Sequence, residues 1–220
     1  MQEPARATKR SRGRPSLDAD RAVDEAECLR AALDAFAEHG FEGTSVREVA
    51  RTLNVSHGLL NAKFGSKRAL WEAAVDFGME TLHASMSRLP SPEHENPDIV
   101  QRLRDACCNF LEGLMEVPAL VRLMNVEGTA RSDRLEHIAA KFFHRRIWPL
   151  QTLLREGQEA GIFREVHAAV PFTLLAHGAG ALIALGPLMN AADVSLNDTP
   201  RSAIGNAKEA AEIIVRGLLR

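Results

Sequence analysis

Hydroxyl residues placed ahead of apolar-periodic runs carry the chemistry this sequence offers. They are Thr44-Ser45, Ser56 and Ser66, within TSVREVARTLNVSHGLLNAKFGSKRAL, residues 44–70. A serine or threonine at such a point accepts a hydrogen bond from the first free backbone amides of a helix. The same free amides, with the helix dipole, attract a phosphate. Ser45 has Glu48 three residues on, the spacing of a capping box. Val46, Val49, Ala50 and Leu53 give that helix one apolar face. Asn54-Val55-Ser56 then breaks the pattern, and Ser56 can cap a second helix of about two turns before Gly65. Two short helices across a tight turn predict a helix-turn-helix, whose second helix fits a DNA major groove. Basic groups cluster nearby: Arg6, Lys9, Arg10, Arg12 and Arg14 stand against Glu3 alone in residues 1–15. The net charge of the chain is only −2. Phosphate contact needs a local positive surface and not a positive total, because charges are screened within about 8 Å at physiological salt.

Other chemistries find little footing. There is no glycine-rich phosphate loop, no nucleophile elbow and no metal-ligand spacing, so neither a metal nor a cofactor is expected and the chain does not read as an enzyme. Cys28, Cys107 and Cys108 are an odd set, and adjacent Cys107 and Cys108 point to different sides of a helix. A reducing, cytoplasmic setting is expected. No apolar run reaches transmembrane length, since His177, several glycines and Pro187 interrupt the longest candidate, 168–189, so no membrane partner is expected. No secretory signal is evident.

The elements that must position the motif read as helices throughout. Residues 1–16 lack periodicity and predict a disordered basic arm. A first helix is expected over about 20–39, buried through Val23, Ala26, Leu29, Leu33, Phe36 and Ala37 and stopped by Gly40. Beyond Ser66, Leu70, Trp71, Ala74, Phe77 and Leu82 mark a long helix ending before Pro90. The proline-rich stretch 90–98 is the expected boundary. After it come helical patterns over about 99–115, 118–128, 132–160 with a bend at Pro149, 169–189 and 204–219. The fold class is therefore all-α, with about nine helices.

The run from Ala32 to Asp76 resembles the N-terminal domain of the tetracycline-repressor (TetR) family of transcription regulators. The likeness rests on Phe36, Gly40-Phe41, Thr44-Ser45-Val46, Val49-Ala50, Val55-Ser56, Gly58-Leu59-Leu60, Phe64, Ser66-Lys67 and Leu70. It implies a helix-turn-helix DNA-binding domain over 17–66, a connecting helix over 67–89, and a helical ligand-binding and dimerisation domain over 90–220. It also implies a ligand-responsive regulator, a repressor by preference, that binds a near-palindromic double-stranded DNA operator as a homodimer and is released by a small, largely apolar effector. On that resemblance His57, Gly58, Asn61 and Lys63 are the recognition-helix contacts. Thr44, Ser45, Arg47 and Lys67 meet phosphates, and Arg12 and Arg14 enter the minor groove. The chain departs from the family at Asn61, where a tyrosine is usual; Asn61 can donate to a phosphate or an adenine edge instead.

The resemblance further implies an effector cavity, with Phe110, Leu114, Leu123, Met124, Phe143, Trp148, Leu175, His177 and Ile183 as candidate lining. His177, and with it His144 or Asn125, would be the polar anchors. A lipid-like, steroid-like or aromatic effector is expected, moving the fourth helix like a pendulum. Ala176, Gly178, Gly180, Ala184 and Gly186, with Ile213, Ile214 and Leu218, are the expected dimerisation stripe. Two other readings compete: a thiol-based redox sensor using Cys107 and Cys108, and a helical enzyme without a recognisable catalytic motif.

Overall fold

A computed structural model describes residues 24–88, 98–143, 148–185, 188, 191–192 and 200–220. Among them the chain is all-α, and the single non-helical pairing is an antiparallel bridge between Phe163 and Leu219. The basic arm with Arg12 and Arg14, the start of the first helix, most of the 90–98 boundary, His144, Gly186 and the 193–199 loop lie outside the described residues.

The N-terminal head is built from α1 (Glu25–Gly43), α2 (Val46–Thr52), α3 (His57–Phe64) and α4 (Lys67–Met86). Gly40 breaks α1 with a left-handed φ of 69°, a conformation that glycine adopts without penalty, and only a short turn follows it. Asn54 closes α2 at φ 55°. The Val55 amide reaches back to the Ala50 carbonyl at 3.0 Å, which satisfies a helix-end acceptor. Ser56 Oγ accepts from the Leu59 amide at 3.2 Å and Ser66 Oγ from the Ala69 amide at 3.1 Å, so two expected caps are present. Ser45 makes no side-chain capping bond, and the expected capping box is absent. Leu33, Phe36, Val49, Ala50, Leu60, Leu70 and Trp71 form the buried centre of the head. Each leucine, valine and phenylalanine among them contributes roughly 1.5–3 kcal/mol on burial.

The second half of α4, through Met79, Leu82 and Met86, joins the head to the remaining helices. These are α5 (Ile99–Glu116), α6 (Pro118–Glu127), α7 (Asp133–Ile138, continued by a π-helical turn Ala139–Phe143) and α8 (Pro149–Glu159). Next comes α9, which runs as Ala169–Thr173, a π-helical turn Leu174–Ala179 and Gly180–Ala184, and then α10 (Pro200–Leu218). Asp98 caps α5 and Ser132 caps α7. The expected single helix over 132–160 is in fact two. Trp148 has ψ 132° and Pro149 opens α8 as its first residue. Proline lacks the amide an interior position would need, but at a first turn that amide is superfluous. Gly113 packs against Ser85 and Leu82, which sets α5 close to α4.

Candidate functional site

The clearest unpartnered polar surface lies on α3. Leu60 is fully buried and Phe64 half-buried, so they anchor one side of the helix. His57, Gly58 and Asn61 are exposed on the other side. A Cβ at Gly58 would meet only Ser56 Oγ, at 3.9 Å, so nothing within the chain requires glycine there. Its value lies in approach from outside. Lys63 is also on the surface, where its Nζ pairs with Glu25 at 3.0 Å. This pair is largely solvated and worth at most about 1 kcal/mol, little enough to yield to a phosphate.

The flanking candidates divide. Arg47 is exposed on α2. Ser45 keeps its hydroxyl free of capping work. Lys67 opens α4, donates to the Glu42 carbonyl at 3.1 Å and lies 4.8 Å from the Phe41 ring centre. Thr44 is placed differently from the expectation. It is buried, its hydroxyl donates to the Gly40 and Ala35 carbonyls at 2.7 and 3.1 Å, and its amide bonds Gly40. It braces the break in α1, so its hydroxyl and amide are both engaged.

A second cluster, not anticipated in the sequence, ties head to body. Phe41 lies beneath Lys67 and, at 4.7 Å, Arg134 of α7. Arg134 also pairs with the buried Glu127 at 2.8 Å. Arg68 donates to the Asp133 carbonyl, and His137 stands 3.0 Å from Asp76 and edge-on to Trp71. The pattern was hidden because Asp76 and His137, Arg68 and Asp133, and Phe41 and Arg134 are far apart in sequence.

The body holds a partly open apolar cavity of about 180 Å³ between α5, α8, α9 and α10. Of the nine expected lining residues, Phe143, Trp148 and Leu175 border it. Phe110 lies one layer back, its ring 5.8 Å from Phe172, which itself lines the space. Leu114 and Leu123 are core, Met124 packs against the core, and Ile183 borders a separate small hollow. His177 is exposed and bonded to Asn125 at 2.6 Å, away from the cavity. The polar lining is instead Gln151 and His167. No described α4 residue lines the cavity; α5, through Leu103 and Cys107, stands between them. Burial pushes the Cys107 thiol up to about 12 and Cys108 to about 11, so both remain protonated at neutral pH.

The outer faces of α9 and α10 leave Val170, Leu174 and Ile213 exposed beside Gly178 and Gly217. Ile213 is 66% accessible, whereas its neighbour Ile214 lines the cavity. Gly180 and Leu218, which the sequence also suggested for an outer stripe, are buried.

A helix-turn-helix with a bare outer helix face, mounted on a helical body, is the architecture of a DNA-binding transcriptional regulator. Residues 29–74 match the sequence model of the tetR family of bacterial regulatory proteins. An HTH-type transcriptional repressor of Mycobacterium tuberculosis is 35% identical over 98 residues, 44% of this chain. The chain spans about half the length of the curated relatives it matches, 50% in that case. The TetR-family regulator PfmR from Thermus thermophilus is 26% identical and superposes at TM-score 0.59, over 90% of this chain and all of that one. The ketosteroid regulator KstR2 of Mycobacterium tuberculosis, at 16% identity, shares the fold at TM-score 0.61 over 92% of this chain and 98% of its own.

Proposed function

We propose that the protein is a DNA-binding transcriptional repressor that works in the cytoplasm as a homodimer on a near-palindromic operator and is released by a small apolar effector. The observation that carries this reading is the exposed α3 face, where His57, Gly58 and Asn61 have no structural task. In this reading residues 17–66 read DNA, 67–89 connect, and 90–220 bind effector and partner. Asn61 and His57 meet base edges, and Lys63 exchanges Glu25 for a phosphate. Ser45, Arg47 and Lys67 hold the backbone, with Arg12 and Arg14 reaching the minor groove. Pairing through the apolar faces of α9 and α10 sets two α3 helices about 34–36 Å apart, or slightly more, in successive major grooves. The relative that is named a repressor supports repression over activation. An effector can weaken DNA binding only by its preference for the released state, typically about 1–3 kcal/mol. Since α5 separates the cavity from α4, α5 is the element that passes the change on.

Selection from random duplexes, followed by anisotropy titration of the enriched sequence, tests the reading. An inverted repeat bound well above competitor DNA is the expected result. Lys67→Ala should weaken all duplexes alike, and Asn61→Ala should alter the preferred bases. Absence of any enriched sequence at low ionic strength overturns the proposal. A thiol-switch reading draws less support, because thiols held protonated by burial react slowly with oxidants.

A further inference from the structure

We propose that the cavity takes a neutral, single-ring aromatic carbonyl compound, its ring against Phe143, Trp148 and Phe172 and its carbonyl at His167 and Gln151. This rests on the effector reading above and narrows it by volume, wall chemistry and the hydrogen-bond sense of the mouth. The volume is about 180 Å³. An apolar cavity of about 150 Å³ accommodates benzene, so one ring with a short substituent fits within this one, while a steroid or a long acyl chain would have to extend out through its open side. The three rings lie with centres 5.8–6.5 Å apart and present both a flat and an edge-on surface: Phe143 is stacked on Trp148 at 26°, and Phe172 is turned 82° to Phe143. Such a corner favours another ring over an alkyl chain of equal volume.

The mouth sets the polar end. His167 Nδ1 accepts the Ala169 amide at 3.2 Å, which leaves Nε2–H as a donor. A ligand group there must therefore accept, and the Gln151 amide can donate a second bond. The described lining holds no Lys, Arg, Asp or Glu, and its polar groups, an amide and an imidazole, favour an uncharged ligand. A ketone, ester or amide satisfies these conditions. The feature is local to two interruptions of regular helix. Phe143 ends one π-helical turn and Leu175 lies in the other, and each widened turn alters the direction in which its side chains leave the helix.

Calorimetric titration of the full chain with acetophenone, benzene, benzoate, dodecanoate and progesterone tests the assignment. Acetophenone should bind one per chain, with benzene and benzoate at least tenfold weaker and the two large probes silent. The double variant Gln151→Ala/His167→Ala, at two exposed positions, should reduce acetophenone to the level of benzene. Ala168→Trp, at the half-buried rim, should abolish the heat while thermal unfolding stays cooperative. Stronger binding of dodecanoate or progesterone than of acetophenone overturns the assignment, as does acetophenone binding indifferent to both variants. Operator release is read separately. Acetophenone that binds without releasing DNA sinks the effector reading and leaves the cavity assignment. DNA released by a long-chain probe alone does the reverse.

Discussion

The head and the body solve opposite problems with the same helices. In the head, α1 to α4 enclose Phe36, Leu60 and Trp71 without a sizeable void, and what remains polar faces outward. In the body, α5, α8, α9 and α10 leave a hollow whose walls are aromatic and whose outer faces are still apolar. A filled core fixes α3 rigidly, which suits a helix that must present side chains in register. An unfilled core forgoes dispersion contacts and stability, and under the proposed function an effector would restore them.

Substitutions can break or sharpen this contrast. Trp71→Ala, at a fully buried residue, should cost about 3–5 kcal/mol in chemical denaturation. Phe143→Ala, at a 40% exposed residue on the hollow, should cost less than about 1 kcal/mol. Equal losses at the two sites would erase the distinction. Next in size is Gly157→Ala, whose new methyl would run into the Phe163 ring and should cost about 1–3 kcal/mol in the same measurement.

Buried thiols give both regions an alkaline pH signature, Cys28 in the head and, more strongly, Cys107 in the body. The folded pKa of Cys107, about 12, stands above the ordinary 9.0, so the native state disfavours the thiolate. Stability from this source is complete below about pH 9 and falls as pH rises toward 12, because the unfolded chain ionises first. Cys107→Val should flatten that decline in a pH series of denaturation midpoints. Native protein should also resist iodoacetamide at Cys107 near neutrality, with urea restoring reaction. Smaller again, Ser56→Ala removes a formed cap and should cost about 1 kcal/mol. Ser45→Ala removes no capping bond and should fall within about 0.5 kcal/mol. Asn61→Ala should leave the melting temperature nearly unchanged and register only in the selected DNA sequence.

The head was legible because its signals are local. Gly40, Asn54, Ser56, Gly65 and Ser66 each act on neighbours within a few residues, and chain order reveals them. Thr44 misled for the same reason. Its position ahead of α2 suggested an open helix end, and only the folded arrangement shows its hydroxyl turned back on α1. The body was legible as helices and less so as a site. Trp148, Phe172, Gln151 and Ile214 meet across more than sixty residues of sequence. His177 was expected at the cavity on resemblance alone; it lies in the π-helical turn Leu174–Ala179, exposed and bonded to Asn125. Pro149 was recognised as an interruption, but its place at a first turn depended on Trp148 being extended.

Ile213 and Ile214 are consecutive residues of one helix, one directed to the exterior and the other to the hollow. Under the proposed function, a partner docked outside and an effector lodged inside would share this single wall and could be coupled through it. Thermodynamic reciprocity then requires that if occupancy tightens self-association, self-association tightens occupancy by the same factor. Sensitivity to the small molecule would become a property of protein abundance, and a cell making few copies would set a different threshold from one making many.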